Sequence, residues 1–216
     1  VYYQKMYLGG VQIAREAGEL ASFSINASGP FVKNPNITGW SLKTNRGSVS
    51  ITQAVKYYSP FGGSEGDLVL QAGEYVYVYS STNPLGKSFR LNRCMGFLNS
   101  VYEFIPAIGE QCPEMYSRSE LSTFSGECQE FIFQFGGCRV PTSDDYNNPA
   151  VIGNSACRSF LDRFNYSACY SRHNADSDFL LSEWRVYLGR EIPFDPLHDR
   201  VLLLDSRGLL VDYYVY

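Results

Sequence analysis

The chain has 216 residues, enough for one large domain or two small ones, and with 44% hydrophobic and only 19% charged residues it reads as globular. A formal net charge of -4 and a pI near 5.2 give no basic footprint for nucleic acid. No apolar run approaches the roughly 20 residues of a membrane helix; the best, VLLL at 201–204, is strand-sized, so no direct membrane insertion is expected of this chain.

From 1 to about 92 the pattern is strand-like. Alternation runs through ASFSI (21–25), ITGWSL (37–42), GSVSI (47–51), DLVL (67–70) and EYVYVYS (74–80). Turn residues separate these runs at Gly29-Pro30, Asn45-Arg46-Gly47, Phe61-Gly62-Gly63 and Ala72-Gly73. In EYVYVYS a period of two puts Val76 and Val78 on one face and Tyr75, Tyr77 and Tyr79 on the other. The GGSEG run at 62–66 matches the letters of a nucleophile elbow. That motif needs a strand before it and a helix after it, and Ser64 instead leads into DLVL, so it reads as a turn.

The middle, 93 to about 191, carries all six cysteines and the helical patterns. Residues 119–135 suit a helix ended by Gly136-Gly137, and 154–169 suit a second helix, with Asn154 or Ser155 as N-cap and Phe160, Leu161 and Phe164 on one face. DSDFLLSEWRVYLG (176–189) reads either as helix to Trp184 or as a strand through WRVYL. The cysteines lack the close C-x2-C pairs of zinc knuckles and the C-x-x-C of thioredoxin-like redox centres, and His173 and His198 are not at ligand spacing. An even set of six therefore reads as disulfides formed in an oxidising compartment.

Two cysteines ten positions apart on one continuous helix lie about 15 Å apart, beyond the roughly 7 Å a disulfide allows. Two antiparallel helices would nest Cys128 with Cys169 and Cys138 with Cys157, leaving Cys94 with Cys112; this is the favoured arrangement. Local pairing, Cys128 with Cys138 and Cys157 with Cys169, stays open if the helices break at Gly137 or Asn165.

Towards the end, His198 sits in DPLHDR beside Asp195 and Asp199, which reads as a strand-entry turn, and NADSD (174–178) lacks the glycine and distal Glu of a calcium loop. Neither metal nor cofactor is expected. RVLLL, DSRG and LLVDYYVY then form a hairpin whose turn is Asp205-Ser206-Arg207-Gly208, with Tyr213, Tyr214 and Tyr216 as candidates for contact with a neighbouring domain. Asn26, Asn36 and Asn165 match the glycosylation sequon. The chain opens at Val1 without Met or signal peptide, as a mature protein or an excised domain does.

ITGWSL and GSVSI, DLVLQAGEYVYVYS, and VLLLDSRGLLVDYYVY together resemble the lamin tail domain. The likeness rests on a Gly-Trp pair opening a strand, an Ala-Gly-x-Tyr turn into a Val-rich strand, and a closing hairpin with Asp205, Gly208, Val211 and Asp212. Residues 37–80 and 198–216 carry it, with 7–25 as a looser first hairpin. FRLNRCMGFL (89–98) and SDFLLSEWRVYLG (177–189) are similar to a bacterial subset with a Cys-rich insertion. The resemblance implies a mainly β fold: an immunoglobulin-like β-sandwich over 1–92 and 192–216, interrupted by a disulfide-stapled, mostly helical insertion over 93–191. It implies a binding or tethering module of a bacterial surface or secreted protein, and supplies no catalytic residues.

The resulting expectation is a non-catalytic extracellular module for cell-surface adhesion or assembly through protein–protein contacts, with self-assembly open. The alternative is a carbohydrate-binding module appended to a secreted enzyme, its platform being Tyr75, Tyr77 and Tyr79, so that a surface protein or a glycan is the expected partner.

Overall fold

A computed structural model describes residues 2–16, 18–27 and 33–216; the Gly29-Pro30 turn lies outside them. The chain forms two compact units. Unit 1 comprises Val1–Tyr58, Gly62–Leu91 and Leu181–Tyr216, and unit 2 comprises Ser59–Phe61 and Asn92–Leu180.

Unit 1 is built on two sheets. The larger has the strand order β1 (Met6–Gln12), β2 (Ser22–Ala27), β7 (Tyr75–Tyr79), β9 (Leu180–Tyr187), β8 (Phe89–Asn92), β5 (Ala54–Val55) and β6 (Glu65–Gly66). It is mixed: β2 pairs antiparallel with β1 and β7, whereas β7 with β9 and β5 with β8 run parallel. The smaller sheet is antiparallel, in the order β11 (Leu210–Val215), β10 (Arg200–Leu204), β3 (Ser41–Lys43) and β4 (Ser48–Ser50). Alternation explains which residues face inward. Phe23, Ile25, Val76, Val78, Trp184 and Val186 from the larger sheet, with Leu42, Val49, Val201 and Leu203 from the smaller, belong to one buried hydrophobic cluster. Trp40 joins it with its ring against Tyr2 at 5.1 Å. Burying 150–250 Å² of such an aromatic at ~25 cal/mol per Å² is worth roughly 4–6 kcal/mol as an upper bound.

Three features of unit 1 depart from the sequence reading. Residues 181–191 belong to unit 1, not to the insertion, because β9 is a strand in the middle of the larger sheet, flanked by β7 and β8. The strand in ITGWSL begins only at Ser41, since Ile37–Trp40 closes a turn through the Trp40 N–H to Ile37 carbonyl bond. DLVL forms a single bridge, Asn36 with Val69, yet Leu68 and Leu70 are fully buried. The closing hairpin is as expected: Asp205 Oδ1 accepts from the Arg207 and Leu209 N–H groups, and Gly208 takes the positive φ of 77° that the turn needs.

Unit 2 holds seven short helices: α1 (Met95–Asn99), α2 (Arg118–Leu121), α3 (Gly126–Phe135), α4 (Ser143–Tyr146), α5 (Pro149–Ile152), α6 (Ser155–Leu161) and α7 (Tyr166–His173). Their starts follow from local sequence. Ser117 and Glu120 make a capping box on α2, while Asn148, Asn154 and Asn165 each accept a backbone N–H at the starts of α5, α6 and α7. Phe124, Phe160, Phe164, Phe135 and Tyr116 form one ring cluster, with centroids as close as 4.9 Å.

All six cysteines are in disulfides: Cys94–Cys169, Cys112–Cys138 and Cys128–Cys157. The nested pairing, Cys128–Cys169, Cys138–Cys157 and Cys94–Cys112, is therefore wrong, and so is the local one. Neither long helix is continuous, which removes the two facing helices that the nested pairing needs; the breaks would have permitted local pairing, but each cysteine bonds instead to a different segment. The 154–169 segment breaks between Asp162, which caps the end of α6, and Asn165, which caps the start of α7, so Cys157 and Cys169 lie on different helices. The 119–135 segment likewise divides into α2 and α3, and Cys138 lies beyond the Gly136 end of α3.

Candidate functional site

The tyrosine row stands on β7, where Tyr75, Tyr77 and Tyr79 alternate with the fully buried Val76 and Val78. Register sets its neighbours. On β2, Asn26, Ser24 and Ser22 lie opposite Tyr75, Tyr77 and Tyr79; on β9, Glu183, Arg185 and Tyr187 do. On β1, Gly9 pairs with Ser24 and has no side chain to cover it; a Cβ there would come within 3.2 Å of Ser24 Oγ.

The rings form a chain across three strands. Tyr75 meets Tyr77 edge-on at 5.7 Å, and Tyr77 stacks on Tyr79 at 6.0 Å and 19°. The contacts continue through Tyr187 (5.5 Å), Phe89 (5.8 Å) and Tyr58 (5.9 Å). An ion pair runs beside them: Arg185 Nε donates to Glu183 Oε1 at 2.6 Å, the guanidinium lies 5.8 Å from the Tyr79 ring, and the Tyr75 hydroxyl donates to Glu183 Oε2 at 3.4 Å.

These surroundings tune the phenols against ionisation. Burial, then the Glu183 charge, raises the Tyr75 pKa, and burial raises Tyr79 and Tyr187 despite the opposing Arg185 charge. Burial works against the charge of Arg185, but Glu183 more than compensates and holds it above its ordinary value. None of the three tyrosines is poised as a base or nucleophile near neutral pH. Tyr75 and Tyr77 are half-buried and Tyr79 is only 6% exposed. The row is therefore not a flat, open stacking platform.

Sequence reasoning found the row but missed Glu183, Arg185, Tyr187 and Phe89. The signal is present in EWRVY, whose alternation matches that of YVYVY, although the same stretch also fits the end of a helix.

The other flagged groups are engaged in local structure. Ser64 is exposed in the loop before β6, with no helix following. His198 is exposed, and its neighbour Asp199 accepts the Asn45 and Asp195 N–H groups. Asp195 is held below the usual carboxylate range, chiefly by the Leu197 N–H. His173 ends α7, with Nδ1 2.7 Å from Asp176 and Nε2 3.3 Å from the Glu114 carbonyl. Within NADSD, Asp178 pairs with Arg93 at 2.6 Å. Asn36 donates to Asp67, and Asn165 caps α7. Among the described residues no group of three or more His, Cys, Asp or Glu side chains is arranged to hold a metal ion, and no helix is long and apolar enough to cross a membrane.

Comparison with protein-family models, with curated proteins and with solved structures returns no match.

Proposed function

We propose that the chain is a non-catalytic extracellular module that serves adhesion or assembly at a cell surface through protein–protein contacts. In this reading, unit 1 is an immunoglobulin-like sandwich of the lamin-tail kind, and unit 2 is the stapled insertion that carries partner specificity. The observation that carries it is the use of every cysteine in a disulfide. Such bonds persist in oxidising compartments and hold together a unit made of helices no longer than ten residues. Large exposed apolar side chains on unit 2, Phe133 of α3 and Ile152 of α5, supply candidate contact points.

The glycan alternative rests on the tyrosine row, and the half-burial of Tyr75 and Tyr77 and the burial of Tyr79 weigh against it.

The test is co-sedimentation of the oxidised protein with cell envelopes of its source, intact or stripped with protease. Protease-sensitive binding that Phe133→Ser or Ile152→Ser weakens is the expected result. Binding that survives stripping and falls with Tyr77→Ala would replace this reading with the glycan one.

A further inference from the structure

The smaller sheet of unit 1 ends at β11, which β1 and the residues before it approach at its Val211–Asp212 end, and the orientation of the remaining edge can be read from its hydrogen bonds. Asp199 and Tyr216 exchange both backbone bonds, with N···O distances of 3.2 and 3.3 Å. The register continues as Arg200 with Val215, Val201 with Tyr214, Leu202 with Tyr213 and Leu203 with Asp212. In an antiparallel ladder bonded and non-bonded pairs alternate. Tyr214 and Asp212 therefore turn their backbone groups towards β10, and Val211, Tyr213 and Val215 turn theirs outward. The Val211 carbonyl is indeed taken on that side, by the Gln4 N–H at 3.2 Å. Among the described residues no such partner meets the outward N–H and C=O groups of Tyr213 and Val215.

The irregularity that blunts this edge, a register shift at Val211, falls at its start and leaves Asp212–Tyr216 regular. Tyr213, Tyr214 and Val215 are 54%, 41% and 58% exposed, and neither Lys nor Pro occurs in β11. Its one charge, Asp212, is held by the Leu8 N–H at 2.8 Å.

We infer that β11 is a self-pairing edge, on which a second copy of this chain lays its own β11 antiparallel, about a two-fold axis through Tyr214. The choice of occupant follows from the symmetry of the edge. The two outward residues flank Tyr214, so this register sets Tyr213 opposite the partner's Val215 and Val215 opposite the partner's Tyr213. Each such pair exchanges both backbone bonds. Tyr214 meets the partner's Tyr214 as a cross-strand aromatic pair, and Asp212 falls opposite the partner's Tyr216, so no like charges meet. Pairing stops at Asp212, because Gln4 already covers Val211. Five residues on each side are far fewer than the roughly 20–30 of a standard specific interface, so association is weak and reversible, with a dissociation constant on the order of 10–100 µM.

This inference rests on the proposed assembly role but is tested separately from it. Sedimentation equilibrium of the full oxidised chain, from about 10 µM to about 1 mM, brackets that affinity. The expected result is a monomer–dimer equilibrium that Val215→Lys and Tyr213→Lys each weaken at least about tenfold, because each replaces the side chain of both symmetry-related Tyr213–Val215 cross-strand pairs with a charge that must be desolvated. Leu197→Lys, at a site 83% exposed and outside the edge, should leave it unchanged. A monomer throughout the range, or a dimer insensitive to both edge substitutions, would overturn the inference. Envelope capture without self-association would remove this inference and leave the binding role standing; self-association without capture would do the reverse.

Discussion

Gly96 of α1 lies directly against Cys138, so that a methyl group on its Cα would overlap Sγ and Cβ of Cys138 and crowd Cys112 Sγ at 2.9 Å. The glycine is there for room, not for φ, because α1 is an ordinary helical segment whose other residues Met95, Phe97 and Leu98 are buried. Gly96→Ala should therefore displace the Cys112–Cys138 bridge, with an overpacking cost of about 1–3 kcal/mol. The expected outcome is a lower thermal midpoint in the oxidised protein and a much smaller difference once Cys112 and Cys138 are both serine. An equal difference in both backgrounds would mean that the clash is relieved elsewhere.

The three bridges close chain separations of 75, 26 and 29 residues. In the chain-entropy account the longest loop stabilises most, by about 4 kcal/mol, roughly 1 kcal/mol more than either shorter one. Cys94→Ser with Cys169→Ser should thus cost more in denaturant unfolding than Cys112→Ser with Cys138→Ser. Peptide mapping without reduction should recover the linked pairs Cys94–Cys169, Cys112–Cys138 and Cys128–Cys157. Recovery of Cys128 linked to Cys169 would restore the nested hairpin.

The unequal legibility of the two units has a physical basis. Strands such as YVYVY and VLLL declare themselves because burial imposes a period of two, and the DSRG turn because its fourth residue must tolerate positive φ. The short strands β5 and β6 and the single bridge at Val69 carry too few residues for a period to appear. In unit 2 the apolar spacing of 154–169 was visible, but the break was written in Asn165, a cap whose bond to the Ala168 N–H interrupts a run of otherwise helical residues. Disulfide partners depend on how seven short helices are arranged, which no local spacing contains. The tyrosine row was visible as an alternation; its burial was not, because that depends on Glu183, Arg185 and Tyr187, more than a hundred residues away in sequence.

Glu74 binds three elements of unit 1 at once. Its buried carboxylate takes Arg90 Nη1 at 2.6 Å, Trp184 Nε1 at 2.9 Å and the Gln71 N–H at 3.0 Å, and Arg90 Nε reaches on to the Leu181 carbonyl. Burial lowers the Arg90 pKa and the Glu74 charge opposes that effect. Glu74→Ala leaves a buried guanidinium and a buried indole N–H without their acceptor, which should cost about 3–5 kcal/mol in chemical denaturation. Glu74→Leu combined with Arg90→Met removes both charges together and should recover most of that loss. A double variant as unstable as the single one would mean that the pair itself, not the orphaned charge, sets the stability.

Glu120 gives unit 2 an acid limit. Its carboxylate receives both Arg172 terminal nitrogens, at 3.0 and 3.2 Å, and the Ser117 N–H at 2.7 Å, so it links the capping box of α2 to α7. The Arg172 hydrogen bonds, then the Ser117 N–H, pull its pKa from 4.5 down to about 2. A carboxyl depressed in the folded state contributes stability that is fully present above its unfolded value and is lost as pH falls through its folded one. The contribution should therefore be complete at neutral pH, begin to fade near 4.5 and be gone near 2. Glu120→Gln, which keeps a capping oxygen but no charge, should be less stable than the parent at neutral pH, with a gap that closes over that interval. Unfolding free energies measured across the acid range check the sign directly. A gap that widens on acidification would mean that Glu120 is protonated more readily in the folded protein than in the unfolded chain, opposite to what its Arg172 and Ser117 donors dictate.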